Sequence, residues 1–191
     1  MSDTPPPAPP PSSPRAILRS QLLARRRECG EDLDIEARIA PHLRQILEML
    51  EPEVLGVYWP VRLEFNPVRL LAGTAWAGSA TLALPWVQKN PQEMHYRRWD
   101  GGTPTLKDGC GIPSSDGARV VPDVVLAPCV GYTEEGLRLG YGGGYFDRFL
   151  AAHPHVTAIG VAPAWARVSL AREAHDIPLP IIVTDAGVIA A

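Results

Sequence analysis

The chain has 191 residues, 46% of them hydrophobic and 20% charged, with a net charge of −3. That length suits one domain with a full core, and the acidic balance excludes a general electrostatic pull toward nucleic acid or an anionic membrane. No apolar run approaches the ~20 residues needed to span a bilayer. Cys29, Cys110 and Cys129 are too widely spaced to predict a disulfide framework or a zinc site, so buried or inert thiols in a reducing cytoplasm are expected.

The N-terminus, MSDTPPPAPPPSSP, has neither the charged nor the apolar region of a signal peptide. Residues 1–13 read as a disordered Pro-rich tail, and residues 14–191 as one domain. From Pro14, which suits a first helical turn, Ile17, Leu18, Leu22 and Leu23 recur at helical spacing. Arg15, Arg19 and Arg26 fall on one face of this helix, and that face, like the run Arg25-Arg26-Arg27, reads as a solvated basic surface supported by Glu31. A second helix is expected from Asp34 to Leu50, capped by Asp34 and kinked at Pro41, with Ile35, Ile39, Leu43, Ile46, Leu47 and Leu50 as its apolar stripe.

Val54 to Trp59, VLGVYW, reads as a buried strand. A polar loop with Arg62 and Glu64 follows, and Asn66-Pro67 opens a helix through about Trp76. TLALPW, Thr81 to Trp86, is a strand expected to stop at Pro85. MHYRRW, Met94 to Trp99, alternates like a strand, although its aromatics would also suit a ligand wall. Asp100 to Gly117 reads as an irregular loop. Val120 to Val130 holds a continuous apolar run of the kind found in a sheet covered on both faces. A glycine-rich loop and a helix through about Ala152 come next, then the strands Val156 to Ala162 and Ile181 to Thr184. The alternation predicts an α/β fold: a three-layer domain with a largely parallel central sheet flanked by helices. Ligands bind such sheets beyond the carboxyl ends of the strands.

The segment GLRLGYGGGYFDR, Gly136 to Arg148, lies at such a position. Glycine leaves no side chain in the way of a ligand and permits positive φ, so this run can turn its N–H groups around an anion. A helix opening at Tyr145 would face its positive end to the same anion, with Asp147 placed to hold Mg²⁺. The competing reading is a mobile glycine linker. The loop lacks the lysine and hydroxyl of GxxxxGK[ST] and has Tyr145 where GxGxxG needs glycine. None of the five histidines shows metal-ligand spacing.

RLGYGGGYFDR resembles the RLGxGxGYYDR signature of the 5-formyltetrahydrofolate cyclo-ligase family, the methenyltetrahydrofolate synthetases. RAILR, Arg15 to Arg19, resembles that family's N-terminal KxxLR segment, and YWPVRLEF, Tyr58 to Phe65, resembles its strand and substrate-contacting loop. LPWV with MHYRRW is similar to its middle strands, and EAHD with IIVT to its C-terminal segment, so the likeness spans about residues 14 to 185. The resemblance implies ATP and Mg²⁺ as cofactors and a small-molecule folate as substrate. Arg15, Arg19, Arg138, Leu139, Gly140, Tyr141, Gly142, Gly143, Gly144, Tyr145 and Phe146 would hold ATP. Arg19, Trp59, Glu64, Tyr141, Gly142, Gly143, Gly144 and Tyr145 would line the folate site. Asp147 and Asp176 would ligate Mg²⁺, and Arg138 and Asp147 would be catalytic. The implied reaction is ATP-dependent cyclisation of 5-formyltetrahydrofolate to 5,10-methenyltetrahydrofolate, by a cytoplasmic monomer without nucleic-acid or membrane partners. Ser114, Ser115 and Thr133 stand where the family usually has acids, which leaves a non-catalytic folate- or nucleotide-binding homologue as the alternative.

Overall fold

The computed structural model describes residues 13–71 and 80–191. Two helices, α1 (Pro14–Cys29) and α2 (Leu33–Leu50), precede strand β1 (Val54–Gly56) and helix α3 (Pro67–Leu71). Strands β2 (Thr81–Lys89), β3 (Gln92–Trp99), β4 (Leu106–Lys107), β5 (Pro113–Ser114), β6 (Arg119–Val120) and β7 (Val124–Pro128) follow. A small hairpin, β8 (Gly131–Tyr132) and β9 (Arg138–Leu139), leads into α4 (Tyr145–Ala152), then β10 (Thr157–Val161), β11 (Ile181–Thr184) and β12 (Gly187–Ala190).

The helix starts follow from side-chain acceptors for the orphan N–H groups of a first turn. Ser13 Oγ accepts from Ala16 N, and Pro14 follows at the first helical position. Asp32, not Asp34, caps α2 by accepting from Ile35 N at 2.9 Å. Asn66 Oδ1 accepts from Val68 N and Arg69 N, as its sequence predicts; the expected continuation of α3 to Trp76 lies outside the described residues. Pro41 lies inside α2, which the helix assignment carries through to Leu50.

The main sheet has the order β12-β11-β10-β7-β1-β2-β3-β6. The five strands from β11 to β2 run parallel, and the antiparallel pairs are at the margins. The sheet is apolar along its centre because both faces are covered. In β7, Val124 and Leu126 join Ile39, Leu43 and Leu47 of α2 in one cluster, while Val125 and Ala127 join Phe149 and Leu150 of α4 in the other. α1 packs elsewhere: Leu22 meets Val130 and Leu139, beyond the carboxyl end of β7.

Further details differ from expectation: β1 ends at Gly56, and the segment read as an irregular loop holds the β4–β5 pair. The Val120–Val130 run is two strands, β6 and β7, divided at Pro122-Asp123; the Asp123 carboxylate accepts from Val54 N at 2.6 Å and Glu53 N at 3.2 Å, which ties the start of β1 to that of β7. β2 does not stop at Pro85, because β1 pairs only with Thr81–Ala83 and the missing N–H lies past that ladder. Tyr96 and Trp99 are buried in the core, so they form no ligand wall.

Gly56 leaves no room for a side chain in this core. A Cβ there would stand 2.7 Å from Tyr96 Cε1, 2.9 Å from Val125 Cγ1 and 3.0 Å from Pro122 Cγ. Gly56→Ala should therefore cost about 1–3 kcal/mol by overpacking, seen as a lower urea midpoint with an unchanged m value. An unchanged midpoint would mean that Tyr96 and Val125 yield without cost.

Candidate active site

The chain passes from β1 to β2 on one side and then to β7, β10 and β11 on the other, so the strand order reverses between β1 and β7. The crevice outside the carboxyl ends at such a reversal is where α/β sheets bind ligands. Here the loop after β1, the hairpin and glycine loop after β7, and the arginine face of α1 converge.

The glycine loop, Gly140 to Gly144, joins β9 to α4. Gly142 and Gly144 have φ of +91° and +62°, which other residues adopt with strain. Gly144 caps α4 without any side-chain bond, so the N-terminal amides of α4 lack a side-chain acceptor. Arg19 Nε donates to Gly140 O at 2.6 Å, and a Cβ on Gly142 would lie 3.4 Å from the Arg19 guanidinium carbon. Gly143 O accepts from Gln92 Nε2 and Arg148 Nη2. The loop is therefore held by bonds to its carbonyls, not a free linker.

Arg15 chelates Asp176, with Nη1 to Oδ1 at 3.0 Å and Nη2 to Oδ2 at 2.5 Å, and also meets Glu173. Burial, and then the neighbouring Arg15 charge, push Arg19 below the ordinary guanidinium value. Two guanidinium groups beside open helix amides favour an anion between them. The face of α1 read as solvated is thus engaged with Asp176, Gly140 and Cys129, and Glu31 pairs with Arg69 instead of supporting it.

Arg138 is 9% exposed and bonds Asp147 Oδ2 at 3.0 Å. Its Nη1 lies 2.6 Å from where a Gly140 Cβ would be, and its Nε is buried without a hydrogen-bond partner among the described residues. It lies against the glycine turn and faces the Phe146 ring. The two aspartates differ: Asp147 has one oxygen on an arginine, whereas Asp176 has both on Arg15 and one more bond from Glu173 N. Among the described residues, Glu173, His175 and Asp176 form a group with metal-ligand spacing, and Asp147 is not one of its members.

On the other side of the crevice, Tyr141 of the glycine loop donates to Glu64 Oε1 at 2.6 Å, and Val61 N donates to Oε2 at 2.9 Å. Glu64 is buried, and burial raises its carboxyl above the ordinary range, partly offset by these two bonds and by the Arg26 and Arg62 charges. A cavity of about 240 Å³ adjoins it, lined by Arg26, Glu64, Phe65, Cys129 and Trp165 among others. Trp59 is not in that lining; it packs edge-on against Trp99, with centroids 6.2 Å apart. Arg26, read as solvated, is 5% exposed and donates to Tyr141 Oη at 3.1 Å and Cys129 O at 2.7 Å. Its register with Arg15 and Arg19 was the available signal. Ser114 and Ser115 bond the carbonyls of Pro85 and Arg98, and Thr133 accepts from Leu137 N in the β8–β9 turn. These three residues tie loops together.

The sequence matches the 5-formyltetrahydrofolate cyclo-ligase family over residues 11–185. The 5-formyltetrahydrofolate cyclo-ligase of Haemophilus influenzae is 26% identical over 156 residues, 75% of this chain and 82% of that protein. That of Escherichia coli is 40% identical over 83 residues, 40% of this chain and 46% of that protein. Among solved structures, the 5,10-methenyltetrahydrofolate synthetase of Aquifex aeolicus superposes with a TM-score of 0.76 at 28% identity, covering 92% of each chain. The Mycoplasma pneumoniae synthetase superposes at 0.72 with 20% identity, over 90% of this chain and 99% of that one, a likeness of fold.

The Arg15–Asp176 chelate has a testable pH signature. Burial would raise Asp176, but the Arg15 bond, the Glu173 amide and the Arg15 charge outweigh it and hold the group below its ordinary 3.8. Its stabilisation is therefore complete above that value and is lost as pH falls through the lower folded value. Asp176→Asn should cost about 1–3 kcal/mol near neutrality, because it weakens charged bonds to a carboxylate that is itself buried, although Arg15 is partly exposed. The difference in Tm from wild type should narrow as pH falls below 3.8 and close below the lowered folded value; a difference that does not narrow would assign the loss to packing.

Proposed function

The chain belongs to the 5-formyltetrahydrofolate cyclo-ligase family, and from that premise we propose how its own residues carry out ring closure. The reaction is the ATP-dependent cyclisation of 5-formyltetrahydrofolate to 5,10-methenyltetrahydrofolate with release of ADP and phosphate. The enzyme is a ligase that forms a carbon–nitrogen bond. The observation that carries the reading is the meeting of the glycine loop and Glu64 across one crevice through Tyr141.

ATP supplies the phosphoryl group that turns the formyl oxygen into a leaving group, after which N10 attacks the formyl carbon, gives up its proton, and phosphate departs. Phosphoryl transfer asks the protein mainly for positioning and charge neutralisation. The nucleotide fits the glycine loop on two observations: Gly142, against the Arg19 guanidinium, holds a φ of +91° that other residues adopt with strain, and burial, then the neighbouring Arg15 charge, depress Arg19, which a bound anion would offset. Arg19 and the α4 amides bind the phosphates in this reading, with Arg15 held in place by Asp176. Leu139, Gly140, Gly143, Tyr145 and Phe146 shape the same cradle. Arg138 acts from beneath, bracing the Gly140 turn and orienting Asp147.

Mg²⁺, a hard cation preferring carboxylate oxygen, is assigned to Asp147, whose second oxygen is not engaged by Arg138. Asp176 fits better as the anchor of Arg15, since both its oxygens are chelated. Glu64 accepts N–H groups of the folate ring in the adjoining cavity, held by Tyr141 of the glycine loop, with Trp59 as packing support. The three cysteines are unpaired, and no helix among the described residues is long and apolar enough to cross a membrane. The loop-tying roles of Ser114, Ser115 and Thr133 give the non-catalytic alternative no support.

Asp147→Asn should keep the far-ultraviolet circular dichroism of the wild type and lower ATP-dependent kcat by roughly 10²-fold, the scale of one lost electrostatic contact in a transition state. Raising Mg²⁺ should recover part of the loss. Unchanged turnover would reduce Asp147 to a counter-ion for Arg138.

A further inference from the structure

Glu64 lies in a ring of titratable groups from several elements. Tyr141 reaches it from the glycine loop, Arg26 from α1, Arg62 from its own loop, Tyr58 from the end of β1 and Cys129 from the end of β7. Burial pushes Tyr58 well up and Cys129 to about 11, so neither contributes charge near neutrality. Arg62 is exposed, with its guanidinium over the Tyr141 ring at 5.3 Å, so solvent screens it. Arg26 is the buried cation. It donates to Tyr141 Oη at 3.1 Å, and the same hydroxyl donates to Glu64 Oε1 at 2.6 Å. A hydroxyl that accepts from a cation while donating to a carboxylate is polarised in one sense, and each bond strengthens the other. Arg26 is fixed from behind by its bond to Cys129 O.

We infer that Arg26 is a positioning residue for folate recognition: through the Tyr141 hydroxyl it orients the Glu64 carboxylate and supplies its balancing charge. The inference rests on the proposed contact between Glu64 and the folate ring. Its geometry also links the two halves of the site, because Tyr141 belongs to the loop assigned to the nucleotide while Glu64 belongs to the loop after β1. That second loop carries Arg62 and Leu63 at φ of +52° and +60°, a costly backbone for residues other than glycine. Glu64 spans it by accepting from Val61 N, so the relay from Arg26 also holds this loop in shape.

The test is direct binding, which needs no turnover: affinity for 5-formyltetrahydrofolate read by tryptophan fluorescence from about pH 4, near the ordinary carboxyl value, up to about pH 8.5. Removing either relay member removes an influence that opposes burial. In Tyr141→Phe and in Arg26→Met, the loss of affinity on acidification should therefore set in at higher pH than in wild type. Below that point affinity should fall by up to about tenfold per pH unit. The double variant should move the limb by less than the sum of the two single shifts, since part of the Arg26 influence passes through the Tyr141 hydroxyl. Tyr141→Phe deletes one oxygen and keeps the ring, so it carries the test if Arg26→Met fails to fold. A pH-independent loss in Tyr141→Phe, with the limb where wild type has it, would overturn the relay. Glu64→Gln separates the layers: weaker folate binding without an acid limb upholds the contact beneath, and folate affinity untouched by it would remove Glu64 from the folate site altogether.

Discussion

The arginine face of α1 lying across the carboxyl edge of the sheet is the contact on which the site depends. One helix reaches Asp176 through Arg15, Gly140 O through Arg19, and Cys129 O with Tyr141 through Arg26. These partners lie in three separate chain segments: the stretch before β11, the glycine loop, and the end of β7. The apolar side of the same helix, through Leu22 against Val130 and Leu139, supplies the burial that seats it. Without α1 the glycine loop would lose the cation that holds its first carbonyl, and the crevice between β1 and β7 would lose one wall.

The two aspartates of the proposed cation set illustrate how pairing decides function. A carboxylate with both oxygens chelated by a guanidinium is already neutralised and oriented. Asp176 is in that state, and its natural work is to hold Arg15. Asp147 is bonded through one oxygen only, by an arginine that is itself packed under the Gly140 turn. The residue types are the same, and the environment separates their roles.

Much of the fold was legible because its signals are local. The cap at Asn66, the helix Tyr145–Ala152 and the apolar strands follow from spacing, turn chemistry and two-sided burial. The glycine loop was equally legible, since the demand for glycine at Gly142 and Gly144 is a property of the backbone itself. What failed depended on distant partners. Arg26 looked like a solvated residue because nothing in α1 announces that Cys129 and Tyr141 fold over it. Pro85 looked like a strand end because the early stop of β1 is written elsewhere in the chain. Asp123, placed between two valine-rich runs, sets the register of β1 by a bond across 69 residues, which no periodicity reveals.

The central claim is that this crevice brings a nucleotide phosphate onto the formyl oxygen of the folate, so that ring closure expels that oxygen as phosphate. An oxygen label tests it most directly. With 18O in the formyl group, enzymatic turnover with ATP should deliver the label into inorganic phosphate, one labelled atom per methenyl product formed. Label released into water, with unlabelled phosphate, would contradict phosphorylation of the substrate and with it the assigned role of the glycine loop.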